Sequence, residues 1–185
     1  MRHPILFFSL MTLIPSISTN KKMNENCMKM SQCGNSDCIC THCYVDKTMA
    51  MYPRLEGSLT NNTEVLSKRE LTSSEISEIA KFFLNVSIAR FESFGDLNNE
   101  TQLLNYIRIA RAARHTKFAL YTKQYHIVRK YFESGRRFPD NVTLILSCPY
   151  IDHVLHESFV NIFKQCHRRV ITFTVTRDKT NPKIN

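Results

Sequence analysis

No stretch of this 185-residue chain stays apolar for the about 20 residues that a membrane-spanning helix requires. The apolar run that opens at Ile5 is broken by Ser9, Thr12 and Pro15. Also missing are the phosphate loop of nucleotide hydrolases, the glycine fingerprint of dinucleotide-binding folds and the paired-histidine helix of zinc proteases. No Ser/His/Asp order stands out either. Acids are in short supply, with 16 Asp and Glu against 25 Lys and Arg and a formal net charge of +9. Such a surface attracts anions, whether an anionic small molecule or nucleic acid, and charge alone does not choose between them. The chain is too short for two large domains, while its 43% hydrophobic content suffices for one, so a single domain with an N-terminal appendage is expected.

Cysteine is concentrated. Five of the seven, Cys27, Cys33, Cys38, Cys40 and Cys43, fall in one short stretch, and Cys148 and Cys166 stand alone. A disulfide framework staples a whole chain, whereas clustered cysteines suit thiolate ligation of one metal or cluster. Cys40 and Cys43 form a C-x2-C pair, a spacing that points two thiolates at one metal from a tight turn. Cys27, Cys33 and Cys38 are the candidates for the remaining ligands. Four thiolates satisfy zinc, and three leave an open corner on an iron–sulfur cluster. The competing readings are buried free thiols and a secreted disulfide protein. For secretion speak Arg2 and His3 ahead of the apolar run, and sequons beginning at Asn61, Asn85, Asn99 and Asn141. Against it, Asn85 is expected within or beside a core strand, where a glycan does not fit.

Four segments follow from composition and periodicity: an N-terminal segment with the cysteine-rich module over 1–55, a polar connecting loop over 56–72, a βα-repeat domain over 73–176 and a flexible tail over 177–185. Gly57 and Asn61-Asn62 supply turn chemistry to the loop. Thr72-Ser73-Ser74-Glu75 reads as a capping box that starts a short helix. β-rich runs over 84–91, 118–122, 142–146 and 170–175 then alternate with helical periodicity over 100–114, 125–133 and 152–165. The expected fold is α/β, a parallel sheet of about four βα units forming an open or partial β/α barrel.

Helical connections make such strands parallel, so their C-terminal ends share one edge, and ligands bind there. That brings forward Glu92, Gly95, Asp96, Lys123, Ser147, Cys148 and Thr176. Glu92 and Asp96 flank a flexible glycine and suit a ribose hydroxyl, an amine or a metal-bound water, while Lys123 suits a carboxylate or phosphate. Turn formation and plain solvation are the competing readings. Arg108, Arg111 and Arg114 follow one side of a helix, with Arg136-Arg137 and Arg168-Arg169 adding basic points. These suit nucleic acid or, more simply, a solvated helix face.

The strings Pro15-Ser16-Ile17-Ser18-Thr19, Ile39-Cys40-x-x-Cys43-Tyr44, Arg90-Phe91-x-x-Phe94-Gly95-Asp96-Leu97, Phe118-Ala119-Leu120-Tyr121-Thr122-Lys123 and Pro139-x-Asn141, with Cys27, resemble the phage and plasmid family named for gene product 88. The resemblance spans nearly the whole chain and brings no assigned reaction with it. Its cysteine–tyrosine motif ahead of parallel β/α units is in turn similar to the radical S-adenosylmethionine enzymes. What this implies is an iron–sulfur cluster held by Cys27, Cys40 and Cys43, S-adenosylmethionine as cofactor, a place in the cytoplasm of the host cell, and an apolar start that belongs to the fold. The spacing departs from C-x3-C-x2-C, since Cys33, Cys38, Cys40 and Cys43 give C-x4-C-x-C-x2-C. The cysteine-rich segment that often follows the fourth strand in that family is missing, which implies a shortened member.

Overall fold

The structure, a computed structural model, describes residues 8–9 and 15–177. One sheet holds six strands in chain order: β1 (Phe8–Ser9), β2 (Ser16–Ile17), β3 (Ile88–Phe91), β4 (Lys117–Thr122), β5 (Val142–Ser147) and β6 (Val170–Phe173). β1 is antiparallel to β2, and β2 through β6 are parallel. Each strand lies beside its predecessor, so right-handed crossovers step in one direction and stack their helices on one face. The α/β reading therefore holds, with two short strands added at the N-terminal side.

The helices are α1 (Glu25–Ser31), α2 (Tyr44–Met51), α3 (Pro53–Lys68), α4 (Ser73–Lys81), α5 (Glu100–Ala112), α6 (Tyr125–Glu133) and α7 (Glu157–Lys164). Thr72 and Glu75 form the expected capping box at α4, Asn99 caps α5, and α6 stops ahead of Gly135 at φ +79. Strand alternation sends Phe91, Phe118, Leu120, Leu144 and Leu146 into one buried core with Ile107, Val128, Tyr131 and Phe163 of the helices. Phe91 lies flat between Tyr106 and Phe118, with ring centroids 4.3 and 4.6 Å away. Arg90 and Tyr121 face the other way, where Ile88, Ile171 and Phe173 are exposed.

The stretch expected as a loop over 56–72 is mostly helix α3. Pro53 opens it, and Leu59, Asn62, Thr63, Leu66 and Ser67 form its buried stripe. Three of those five are polar, which hides the period. The Asn62 amide donates to the Ser18 carbonyl at 2.9 Å, and Thr63 Oγ1 accepts the Asn20 amide at 2.8 Å.

Other boundaries also move. The first run begins only at Ile88, because residues 82–86 continue α4 as tight turns; Asn85 is exposed there, so burial gives no reason against a glycan. The last helix begins at Glu157, since Asp152 adopts φ +61 and His156 caps it. The final strand ends at Phe173 rather than at residue 175.

The N-terminal segment is not set apart as a module. β2 pairs with β3, and the cysteine loop docks on the turn after β5 through Ile39 N–Pro149 O at 2.9 Å and Ile151 N–Asp37 O at 2.7 Å. Most of the apolar start and the tail past Arg177 lie outside the described residues. Among those described, no helix is long and apolar enough to cross a membrane.

Candidate functional site

A cavity of about 540 Å³ opens where the C-terminal strand edge meets the cysteine loop. The strand ends give it Glu92, Ser93, Phe94, Gly95, Asp96, Tyr121, Thr122, Lys123, Ser147 and Phe173; the loop gives it Cys27, Ile39, Cys40, His42, Cys43 and Tyr44. Sequence order explains this, because the loop leaves the end of β2 and must pass over the edge before α2 and α3 lead the chain back to the sheet.

Asp96 fastens two strand ends together. Its buried carboxylate accepts Thr122 Oγ1 at 2.5 Å, the Lys123 amide at 2.9 Å and the Leu97 amide at 2.7 Å. Asn24 reaches in from the start of α1 and donates to the Asp96 and Leu97 carbonyls at 3.0 and 2.8 Å. Burial raises the pKa of Asp96, with Lys123 as the chief opposing influence.

Glu92 is turned inward. Its carboxylate accepts the Thr19 amide and hydroxyl, the Gln102 amide and the Tyr106 hydroxyl. Burial nevertheless raises its pKa to about 8, against the pull of those donors. Gly95 leaves room for this knot, since a Cβ there would lie 2.7 Å from the Thr19 carbonyl oxygen.

The five clustered cysteines divide. Cys27, Cys40 and Cys43 line the cavity, Cys27 from α1 and Cys43 as the residue capping α2. Cys38 is fully buried elsewhere, its Sγ 3.4 Å from the Met30 carbonyl, and Cys33 is exposed with its Sγ 3.7 Å from Thr41 Oγ1. Among the described residues, no three His, Cys, Asp or Glu side chains converge closely enough to hold a single ion.

Burial pushes the Cys27 thiol well above its ordinary range, with Asp96 adding and Lys123 opposing. It pushes Cys40 up to about 11, again opposed by Lys123. Burial alone pulls the Lys123 pKa down, yet Asp96, Cys40, Cys27 and Cys43 together leave it raised. This lysine is the positive charge that the thiols share.

The family model described as gene product 88 matches residues 8–182. The chain belongs to the gene product 88 family. Comparison with curated proteins and with solved structures returns no match.

In this gene product 88 protein the cavity thus gathers Cys27, Cys40, Cys43, Glu92, Gly95, Asp96 and Lys123 from the sequence-derived candidates, and leaves out Cys33 and Cys38. Ser147 also lines it; Cys148 is buried behind the edge, and Thr176 donates to Asp152 at 2.9 Å. Several basic residues are tied to neighbouring turns: Arg108 donates to the Leu71 carbonyl, Arg111 to the Arg137 carbonyl at 2.8 Å, and Arg168 pairs with Asp140 at 2.8 Å.

Sequence reasoning missed Tyr44, Arg90 and Tyr121 as cavity residues. Tyr44 donates its hydroxyl to the Ser93 carbonyl and so pins the cysteine loop to the end of β3. The signal for Arg90 was a charge between Ala89 and Phe91 inside an apolar strand, a position a solvated residue rarely takes.

Proposed function

We propose that the cavity holds an iron–sulfur cluster on Cys27, Cys40 and Cys43 and receives S-adenosylmethionine beside it, making the chain a radical S-adenosylmethionine-type protein. The observation that carries this reading is the meeting of three thiols and one lysine in a single cavity at the C-terminal edge of a parallel sheet. The donor set fits such a group. Thiolates are its usual ligands, and each binds a different iron, so they need not converge on one point as zinc ligands must. Three thiolates leave one corner open. Cys27, Cys40 and Cys43 would hold the cluster, which, once reduced, would supply the single electron for cleaving the carbon–sulfur bond of S-adenosylmethionine.

The chain's own residues supply order and charge. Lys123 offsets the negative charge of the three thiolates, and Asp96 holds the Lys123 backbone in place through its amide. The Glu92 knot fixes the wall opposite the loop, and Tyr44 closes the loop onto that wall. Because burial keeps the Cys27 and Cys40 thiols protonated, ligand binding releases protons from the site.

The test is anaerobic reconstitution of the full chain with iron and sulfide, followed by iron analysis, visible spectroscopy and incubation with dithionite and S-adenosylmethionine. Retained iron with broad visible absorption and release of 5′-deoxyadenosine are expected. A colourless chain without iron overturns the reading, and retained iron without cleavage removes its S-adenosylmethionine part.

A further inference from the structure

Arg90 belongs to the middle of the sheet, yet it faces away from the helices and lines the cavity. Its guanidinium carbon lies 3.9 Å from the centre of the Tyr121 ring, which supports one flat face and does not use the in-plane N–H donors. The Arg90 Nε is buried with no hydrogen-bond partner among the described residues. Ser93, only 3% exposed, lines the same cavity, and its Oγ is also buried without a partner there. Buried donors left unpaired cost free energy that an acceptor in the cavity recovers.

The acids of the cavity are not those acceptors. Glu92 is taken by Thr19, Gln102 and Tyr106, and Asp96 by Thr122, Leu97 and the Lys123 amide. Of the three cations in the lining, Lys21 pairs with Asp46 at 2.6 Å, so Arg90 and Lys123 face a space whose carboxylates are bound to the wall. An arginine edge with a hydroxyl beside it matches an oxyanion with two or more in-plane oxygens.

We propose that Arg90, assisted by Ser93, forms an oxyanion subsite that takes the carboxylate or phosphate group of a small-molecule substrate. The subsite stands on the cavity alone, so it holds or fails independently of the cluster.

The experiment is a proton–nitrogen NMR titration of the arginine Nε–H signals in the full-length chain, as isolated and after reconstitution, with inorganic phosphate and separately with succinate against chloride at equal ionic strength. One signal, absent from Arg90→Gln, is expected to move saturably with at least one anion. The anion that saturates at the lower concentration identifies phosphate or carboxylate as the group recognised. Ser93→Ala is expected to weaken that binding about threefold to tenfold, as the loss of one hydrogen bond does. Should Arg90→Gln fail to fold, Arg90→Lys keeps the charge, removes the planar edge and is expected to lose most of the binding. An Arg90 signal that responds no more than it does to chloride overturns the proposal, as does equal anion binding by a folded Arg90 variant.

Discussion

The backbone amide and the hydroxyl of Thr19 both donate to the buried carboxylate of Glu92, 73 residues further along the chain, at 3.2 and 3.0 Å. This contact locks the end of β2, from which the cysteine loop departs, to the end of β3. Gly95 closes over it. A Cβ on Gly95 would meet Thr19 O, Thr19 Oγ1 and Glu92 Oε2 all at 2.7 Å, and the first of these is backbone that cannot swing aside. Gly95→Ala is therefore expected to destabilise the fold by about 1–3 kcal/mol, the usual cost of overpacking. The urea midpoint reports it, and a midpoint equal to that of the parent chain would show that the strand ends are not packed this closely.

Glu92 also gives the protein a pH dependence. Its pKa rises from an ordinary 4.5 to about 8, chiefly through burial. Between those values the folded chain keeps a proton that the unfolded chain has lost, so stability falls as pH rises through this window and levels off above it. The loss amounts to about 1.4 kcal/mol for each pH unit crossed inside the window. Asp96, likewise raised by burial, acts in the same direction. Denaturant midpoints measured from pH 5 to 9 should decline, and Glu92→Gln should flatten the decline; a parent midpoint that climbs from pH 5 to 8 would contradict a buried, protonated Glu92.

Lys123 is the positive charge set among Cys27, Cys40 and Cys43. Lys123→Gln removes the cation that favours the thiolate forms of Cys27 and Cys40. Iron retention after reconstitution is expected to fall about tenfold for each pKa unit by which a ligand thiol rises, while Lys123→Arg keeps the charge and most of the iron. Equal retention by Lys123→Gln and the parent would remove Lys123 from the site.

The βα rhythm was legible because β-branched and apolar runs alternate with helical stripes, and α4 and α6 carry their own start and stop signals. The α6 bounds are those read from the sequence. α3 was not legible, since Asn62 and Thr63 turn polar groups into the core and satisfy them with backbone partners 43 or 44 residues away. β2 escaped because it has two residues, and only its pairing with β1 and β3 makes it a strand. Asp96 and Lys123 could be proposed from the strand-edge rule, and the three cavity cysteines from their clustering, the C-x2-C spacing and the family resemblance. Their separation from Cys33 and Cys38 rested on the family resemblance, because spacing alone does not say which thiols a loop turns toward the sheet. Glu92 was legible as an edge residue but not as the centre of a knot, as its partners Thr19, Gln102 and Tyr106 are brought to it only by the fold.

The most direct measurement is iron content per chain after anaerobic reconstitution and desalting, compared between Cys27→Ala, Cys40→Ala and Cys43→Ala singly and a Cys33→Ala/Cys38→Ala double variant, with circular dichroism confirming that each is folded. Loss of iron and of visible absorption in each single variant, with retention in the double variant, is the result expected from thiols gathered in one cavity. Retention by folded Cys27→Ala alongside loss in a folded double variant would contradict it and place the metal on the other pair.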